Sequence, residues 1–571
     1  MPTRQGDVAS AGRLTRLYAV PQPSALEQGE HALFAQGSLR ASRTCFEQAY
    51  READAAGCAQ AMARAALGMS GLWVHERRLA AEAAAVEARQ RRALAQVGAD
   101  SILGLRLTAR LAAEHSYQSG DPSSVLEALD NLRTVDDPTA LAEGLSLAHH
   151  CLLGPDHAGT RLELAHELLG VAASSGRNVD VLMGLLWRTV DLFLMGDPTA
   201  ERSLAELKAV WADGHEAVGF VVRSLDAMLA LRAGRWADAE RLVAECAERG
   251  TTAGDADAVT WQVAQLLAIR WFQGRVAETL PAMAELAVST STGAVDRASF
   301  AALAVALAAA GDAAGASCAV ARVRGRGFAD LVRSSGWLVA MYGVVEAAYL
   351  LGDPHVAVEA YAVLSPFARL PMMTSLAVAC FGSTHHALGM AALTQGHAEV
   401  AVEHFEAAVR DNLALGHRPA VVLSGHRLAE ALDLRGAPGD KELAVVERDR
   451  AARAAGELDM RLPARHTDPG ALGCGANPPK IMLVRGDGAT WQVGLGDRVV
   501  TVPDALGVRY LAMLVERPGE EVAATELALA AVGRSPGSAT GSPPAARVSH
   551  PLLDDRATSE YRARIRELTR E

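Results

Sequence analysis

The sequence predicts a mostly α-helical protein, a solenoid of stacked helical hairpins followed by a small C-terminal α+β module. Three observations predict this fold. A short turn built on glycine recurs about every 40 residues along most of the 571-residue chain. Half of the residues are hydrophobic but only 5% are aromatic, so the apolar content is mainly Ala, Leu and Val, which suit closely packed helices. The periodicity stops near Asp459, and two β-rich runs follow residue 480.

The glycine turns divide the chain into repeating units. From Gly120 onward, successive turn glycines are 34, 42, 38, 40, 37, 41, 44 and 40 residues apart. A unit of that length holds two helices and two short connections, and glycine suits a helix end because it adopts positive φ without steric cost. We therefore predict stacked hairpins over residues 25–460. The predicted turn glycines are Gly37, Gly120, Gly154, Gly196, Gly234, Gly274, Gly311, Gly352, Gly396 and Gly436.

Asp-Pro steps follow three of these glycines and predict helix starts. They are Asp121-Pro122, Asp197-Pro198 and Asp353-Pro354. The aspartate side chain accepts hydrogen bonds from the first free N–H groups of a helix, and proline fits the first turn because its missing N–H has no partner there. Each of these steps therefore marks the start of the second helix of a hairpin.

The stretch "HHALGMAALTQGHAEVAVEHFEAAV" shows the unit most clearly. Gly389 precedes the turn at Gly396, and Ala401, Phe405 and Ala408 follow it. This pattern resembles the tetratricopeptide repeat, a family that places small residues where two helices cross and an aromatic ring against the next hairpin. Three further turns match in part, and the uneven spacing departs from the family's regular period, which implies irregular stacking. The matching residues there are Gly37, Phe46 and Ala49; Gly234 and Ala239; and Gly352, Ala357 and Tyr361.

The same stretch carries four histidines and three glutamates in 25 residues, which raises the possibility of a metal site. A metal needs three or four converging ligands, commonly histidines four residues apart on a helix. His397 and His404 are seven residues apart, and His385 and His386 are adjacent, so they do not share one face. We therefore interpret these histidines as structural or surface residues, and we expect no metal and no cofactor.

A longer resemblance covers about residues 25–460 and the tail. The stretches "LAHHCLLGPDHAGTRLELAHELLGVA" and "GLLWRTVDLFLMGD" are similar to the helical array of actinobacterial signal-transduction ATPases and LuxR-type regulators. That resemblance implies a role in transcriptional or signalling regulation. The three lysines, Lys208, Lys441 and Lys480, do not follow a Gly-rich phosphate loop, so the chain lacks that family's ATPase module and a separate ATPase or regulator is a candidate partner. Within the second stretch we predict an internal ion pair between Arg188 and Asp191, three residues apart.

Composition limits the function classes. The formal net charge is −12, which argues against a chain-wide surface for nucleic acid or anionic membrane. The seven cysteines are scattered and form no Cys-x-x-Cys motif, as is typical of a reduced, cytoplasmic chain. The N-terminus lacks the apolar core of a signal peptide, and no uncharged apolar stretch of about 18 residues is present, so we expect no membrane segment.

The ends of the chain differ from the array. We predict a flexible N-terminus over 1–24, a linker over 461–480, a winged-helix-like module over 481–533, a disordered linker over 534–549 and an amphipathic helix over 550–571. Residues 480–571 hold 12 basic and 12 acidic residues, whereas a DNA reader needs excess positive charge. Docking of a protein is therefore favoured over DNA contact for this module.

No catalytic motif is evident. Cys151 beside His149 and His150 is the best nucleophile by composition, but neighbours on a helix point in different directions. We therefore predict a non-catalytic scaffold or sensor that binds a protein or peptide in the concave groove of the array. Two alternatives stay open, namely a regulator that contacts DNA through residues 481–533 and a helical enzyme that binds a small molecule or metal.

Overall fold

The computed structural model describes residues 23–212, 214–288, 297–463, 481–485, 490–495 and 498–517, with single residues at 522 and 527. The chain divides into two compact units, one ending at Pro478 and the other beginning at Pro479. The first unit is built almost entirely of helices, and the described part of the second unit holds a small antiparallel sheet and a helix. The predicted segments 534–549 and 550–571, and nearly all of 1–24 and 461–480, lie outside the described residues.

Within the described residues, the helices of the first unit follow one another as eleven pairs, most of them joined by a short connection. In pair 1, α1 (Ala25–Glu30) continues as a π-helical segment (His31–Gln36) before α2 begins. Pairs 1 to 5 comprise α1 and α2 (Leu39–Ala55), α3 (Ala59–Gly68) and α4 (Ala80–Val97), α5 (Ile102–Ser119) and α6 (Ser123–Arg133), α7 (Pro138–Cys151) and α8 (Ala158–Ser175), and α9 (Asn178–Leu194) and α10 (Ala200–Trp211).

The remaining pairs extend to residue 457. Pairs 6 to 8 comprise α11 (Glu216–Arg232) and α12 (Trp236–Ala253), α13 (Ala258–Phe272) and α14 (Leu280–Val288), and α15 (Ala298–Ala309) and α16 (Ala313–Arg324). Pairs 9 to 11 comprise α17 (Trp337–Leu351) and α18 (Pro354–Leu364), α19 (Thr384–Thr394) and α20 (Ala398–Ala414), and α21 (Arg418–Arg435) and α22 (Asp440–Glu457). Short 3-10 turns occur at Pro155–His157, Val276–Thr279, Phe328–Asp330 and Ser365–Phe367.

All ten predicted turn glycines lie between the two helices of a pair. Nine of them have φ between 63° and 87°, the left-handed region in which glycine ends a helix at little steric cost. Gly154 is the exception, with φ −65°. A Cβ atom at Gly154 would overlap the main-chain oxygen of Arg333 in the connection before α17, so this glycine provides close approach instead of a left-handed turn.

Pairs that are five apart along the chain contact each other. The Arg40 guanidinium in α2 donates to the Thr251 carbonyl in α12 at 3.0 Å. Arg333, just before pair 9, forms an ion pair at 2.8 Å with Asp156 of pair 4. The Trp236 indole in pair 6 donates to the Leu458 carbonyl just after pair 11. In the first unit, therefore, each of these pairs contacts the pair that lies five further along the chain.

Two segments between the described helices of the first unit depart from the pattern of short connections. One is a loop over residues 69–79, which joins α3 to α4, and the other is a hairpin of β1 (Pro371–Thr374) and β2 (Ala379–Ser383) between pairs 9 and 10. The sequence predicted neither segment. Among the described residues, no helix combines the length and apolar character needed to cross a bilayer.

The second unit begins with the β-meander that the sequence predicted. Strands β3 (Ile481–Arg485), β4 (Thr490–Leu495) and β5 (Arg498–Pro503) pair antiparallel in chain order, and α23 (Leu506–Glu516) follows. Asp504 links the sheet to this helix because its carboxylate accepts from the Trp491 indole at 2.9 Å and from Arg509 at 2.6 Å. The described residues do not extend to the second helix of a winged-helix module.

Candidate functional site

The repeat residues of pair 10 meet at a tight helix crossing. Ala401, Phe405 and Ala408 in α20 are fully buried. A Cβ atom at Gly389 in α19 would lie 2.8 Å from the Phe405 ring, so only glycine leaves space for that ring. Gly396 ends the turn between the two helices with φ 77°. These residues therefore pack the two helices of the pair.

Pair 1 shows the same use of a phenylalanine. The Phe46 ring in α2 lies against Gly29 in α1 and Gly68 in α3, and a Cβ atom at Gly68 would overlap it. Ala49 is buried one turn further along α2, and Gly37 has φ 68° between the helices. Phe46 therefore holds pairs 1 and 2 together.

The other predicted repeat residues lie in similar places. Ala239 in α12 and Ala357 in α18 are fully buried, each in the first turns after a glycine. Those glycines, Gly234 and Gly352, have φ 72° and 64°. Tyr361 in α18 is half-buried, and its hydroxyl lies 3.0 Å from Nε2 of His404 in pair 10. It therefore contacts the next pair through a hydrogen bond as well as through its ring.

The histidines of the opening stretch form a hydrogen-bonded contact. Nδ1 of His385 lies 2.8 Å from Nδ1 of His404, so one ring donates and the other accepts. Burial lowers the pKa of both, and burial together with the neighbouring His385 lowers that of His404 to about 4. His386 is buried and bonds the Ser424 hydroxyl at 3.0 Å. In the described part of the chain no three His, Cys, Asp or Glu side chains converge as a metal would require.

The predicted pair between Arg188 and Asp191 is wrong, because each has a different partner. Arg188 bonds Ser203 at 3.2 Å and Glu206 in α10. Asp191 is fully buried, and its two carboxylate oxygens accept from Arg161 Nε and His149 Nε2, both at 2.7 Å. A buried carboxylate needs such partners to compensate its lost hydration. The sequence spacing on α9 correctly placed both residues on a helix but did not reveal that Asp191 faces α7 and α8.

The thiol of Cys151 is not activated by the neighbouring histidines. Burial raises the pKa of Cys151 to about 12, and its Sγ lies 3.3 Å from the Ala113 carbonyl oxygen. His149 is engaged with Asp191, and the His150 ring lies 5.4 Å from the Trp187 ring. A nucleophilic cysteine needs a lowered pKa and a base within reach, so this arrangement serves packing.

The loop over 69–79 is fixed by charged and polar contacts. The Glu76 carboxylate accepts from the main-chain N–H groups of Leu72 at 2.7 Å and Trp73 at 2.9 Å, and it pairs with Arg43 at 2.8 Å. The Trp73 indole donates to Asp255 at 3.0 Å, which connects the loop to the start of pair 7. The loop therefore occupies the space between pairs 1 to 3 and pair 7.

The β1–β2 hairpin is buried among helices of both halves of the first unit. Its residues 372, 373 and 376–383 are all buried, and they belong to two hydrophobic clusters, one formed mainly by pairs 1 to 6 and the other by pairs 6 to 11. Gln265 in α13 donates to the Val378 carbonyl at 2.9 Å, and Asn412 in α20 accepts from the Ser383 N–H at 2.8 Å. The hairpin therefore fills space between helices of pairs 7 and 10.

A cleft remains open on the first helices of pairs 1 to 5. It holds about 810 Å³ of empty space, part of it open to solvent, and its floor is apolar. Most of the lining comes from the first helices of pairs 1 to 5, including the π-helical segment after α1, and Phe46 of α2 and Leu72 of the 69–79 loop also line it. The apolar residues of the floor are Leu33, Phe34, Leu67, Leu72, Val179 and Met183. We call this space the pair 1–5 cleft.

Alternating charges line the walls of the pair 1–5 cleft. Glu143 accepts from Arg106 at 2.8 Å and from Arg177 at 2.7 Å. Burial raises the pKa of Glu143, but the two arginines outweigh burial and hold it below its usual value. Arg177 also binds Asp180 at 2.7 Å and covers the Phe34 ring, with its guanidinium 4.7 Å from the ring centre. The cleft thus presents carboxylate acceptors and guanidinium donors side by side above an apolar floor.

No protein-family model matches the chain, and no curated protein matches it. The likeness to tetratricopeptide repeats therefore rests on the residues of pairs 1, 6, 9 and 10 that are described above. Sequence reasoning missed the cleft because its residues come from five different helices at spacings of about one repeat unit. The charged residues at the starts of these helices were the available signal.

Proposed function

We propose that the eleven pairs stack as a tetratricopeptide-like solenoid and that the protein is a non-catalytic scaffold or sensor in transcriptional or signalling regulation. The observation that carries this proposal is the pair 1–5 cleft, which is open on the first helices of five consecutive pairs. First helices line the concave side of stacked hairpins, and extended partner segments bind there. The loop over 69–79 and the β1–β2 hairpin already fill other space on these helices, so the cleft is the place for a partner.

The chemistry of the cleft favours an extended segment of a protein or peptide. A polypeptide backbone carries an N–H donor and a C=O acceptor at each residue. Glu143 and Arg106, which bond each other at 2.8 Å, are an acceptor and a donor of this kind, and a bound segment would have to share or replace their mutual hydrogen bonds. The apolar floor provides burial for side chains of the segment, at about 25 cal/mol per Å² of apolar surface. A separate ATPase or regulator is a partner of this kind.

Direct DNA contact through residues 481–533 is a weaker proposal. Two of the arginines there, Arg485 and Arg509, both bond Asp504, at 3.3 Å and 2.6 Å. A phosphate contact would compete with that carboxylate. A protein-docking or structural role for a winged-helix-like module agrees better with this internal pairing.

Site-specific photo-crosslinking tests the proposal. The photoreactive residue p-benzoylphenylalanine replaces Arg64, which is 45% exposed at the cleft, or, as a matched control, Arg91, which is 66% exposed on α4 and does not line the cleft. After irradiation in native extract we expect a discrete protein adduct from position 64 only, with a yield that changes little between 50 and 200 mM salt. Equal adducts at both positions, or an adduct containing DNA, would contradict the proposal.

A further inference from the structure

A second open pocket lies in the other half of the first unit, beside the β1–β2 hairpin. It holds about 750 Å³ of empty space, part of it open to solvent, between α13, α14, α15 and α17. Thr374 of β1 and Phe381 of β2 close one side. This apolar pocket is separate from the pair 1–5 cleft and shares no lining residue with it.

Three aromatic rings form one wall of the apolar pocket. The Trp271 ring lies 5.1 Å from the Tyr342 ring and 5.6 Å from the Phe381 ring, and it meets Phe381 edge to face. Tyr342 and Phe381 are buried, whereas Trp271 is only half-buried. Rings in such a wall offer faces and edges against which a flat ligand stacks.

Polar groups in the apolar pocket are few. None of its lining residues is charged, and apart from the three aromatic rings the lining is aliphatic or hydroxyl-bearing. Burial, and then the charge of Glu346, raises the pKa of Tyr342 well above its usual value, so its hydroxyl stays neutral. The hydroxyl groups of Thr260, Ser299 and Thr374 are further polar groups on the lining. A charged ligand would lose its hydration here without gaining a partner, which is costly.

We propose that the apolar pocket is a binding site for a neutral, largely apolar small molecule that contains a flat ring and few hydrogen-bonding groups. Its rings stack against Trp271 and Phe381, and its polar group bonds a threonine or serine hydroxyl. This ligand contacts pairs 7, 8 and 9 and the β1–β2 hairpin together. The proposal stands independently of partner binding in the pair 1–5 cleft, because a ligand and a variant in one site leave the lining of the other unchanged.

Binding of the neutral fluorescent probe N-phenyl-1-naphthylamine to the full chain tests the proposal. Ala302→Leu places three additional carbon atoms in the pocket, whereas Ala309→Leu makes the same change on an exposed position of the same helix. We expect one saturable site in the natural chain and in Ala309→Leu, with affinity at least tenfold weaker in Ala302→Leu. Circular dichroism of each variant verifies that the helices remain folded. Equal affinity in both variants, or no saturable site in the natural chain, would overturn the proposal.

Two further measurements test the chemical class. Energy transfer from tryptophan to the bound probe should fall in Trp271→Phe, because the indole lines the site. The anionic probe 1-anilinonaphthalene-8-sulfonate should compete at least tenfold less well than its neutral relative, because no cation lines the pocket. Equal competition by the anionic probe, or unchanged energy transfer, would show that the probe binds elsewhere and that the proposal is wrong.

Discussion

The loop over 69–79 and the β1–β2 hairpin both interrupt the helices of the first unit, but opposite chemistry holds them. In the loop, whose main chain has no regular partners, Glu76 accepts hydrogen bonds from main-chain N–H groups, and Arg43 holds the Glu76 carboxylate. In the hairpin, the strands satisfy each other's main chains, and apolar side chains such as Met373 and Phe381 fill the surrounding space. Both satisfy the same physical demand, since buried main-chain polar groups need hydrogen-bond partners.

This difference in chemistry determines how pH and salt affect the stability of each segment. Ion pairs depend on protonation and, where exposed, on salt, whereas apolar burial depends on neither in the ordinary range. The loop therefore depends on a few ionised side chains, and losing one of them leaves several groups without a partner. The hairpin depends on many small contacts that are lost one at a time.

The largest expected effect is at the carboxylate that supports the loop. Glu76→Ala removes the acceptor of the Leu72 and Trp73 N–H groups and the carboxylate partner of Arg43. Removing one member of a buried ion pair costs about 3–5 kcal/mol in the free energy of unfolding. Urea denaturation followed by circular dichroism measures this loss, and hydrogen exchange should show faster exchange over 69–79.

Glu82→Ala is the matched control for the loop variant. Glu82 is 54% exposed and is 3.9 Å from its nearest cation, Arg77, so its removal should change the free energy of unfolding by less than about 1 kcal/mol. If both glutamate variants lose the same stability, the carboxylate of Glu76 does not hold the loop and the comparison between the two segments fails.

The next largest effect is expected in the hairpin. Met373 is 2% exposed at the centre of β1, and Met373→Ala leaves a cavity that should cost about 3 kcal/mol. Because no charge is involved, the loss should be equal at 0.1 and 1 M sodium chloride, as measured by urea denaturation. A loss that depends strongly on salt would mean that the hairpin, like the loop, relies on ion pairs.

The sequence predicted the helical pairs well because the signal recurs. Nine turn glycines have the positive φ that their position required, and the antiparallel sheet after residue 480 is where the β-rich runs predicted it. The loop was missed because it replaces a glycine turn. The interval between Gly37 and Gly120 is about twice the repeat unit, and this long interval was the signal of the loop in the sequence. The hairpin was missed because a short uncharged apolar run has no period that separates strand from buried helix.

The side-chain contacts in the candidate sites could not be predicted from the spacing of residues in the sequence. Asp191 and Arg188 are three residues apart, but Asp191 pairs with Arg161, 30 residues earlier in the chain, on another helix. Likewise, Arg106 and Glu143 are 37 residues apart, and they meet because consecutive first helices lie side by side. Such contacts follow from the packing of one pair on the next, which the pattern within a single helix does not encode.

A moderate loss of stability is expected where one side chain donates a hydrogen bond to the main chain of the hairpin. The Gln265 amide donates to the carbonyl of Val378 at 2.9 Å and to that of Ser224 at 3.0 Å. Gln265→Leu keeps the volume and leaves these buried carbonyls without that donor, at a cost of about 1–2 kcal/mol. Faster hydrogen exchange over 371–383, with no change over 69–79, would identify the contact as local. Equal acceleration in both segments would show that they are not held independently.

The smallest expected effect is a change in stability with pH at Asp255, which contacts the loop. The half-buried Asp255 accepts from the Trp73 indole at 3.0 Å, and it faces the carboxylates of Asp257 and Glu76, while Arg78 pairs with Asp257. Burial, and then the charge of Asp257, raises the pKa of Asp255 to about 7. A carboxyl group whose pKa is higher in the folded state stabilises the fold below its ordinary pKa of about 3.9, and this contribution is lost as pH rises through about 7.

Asp255→Asn retains an oxygen acceptor for Trp73 and does not ionise. We therefore expect its melting temperature to exceed that of the natural chain by more near pH 8 than near pH 5. The gain should be on the order of 1 °C, because partial exposure screens the charge and the first unit is large. Differential scanning fluorimetry at both pH values measures it. A variant that is less stable at pH 8 than the natural chain would show that Asp255 works as an ionised acceptor, which would make it a third charged support of the loop beside Glu76 and Arg43.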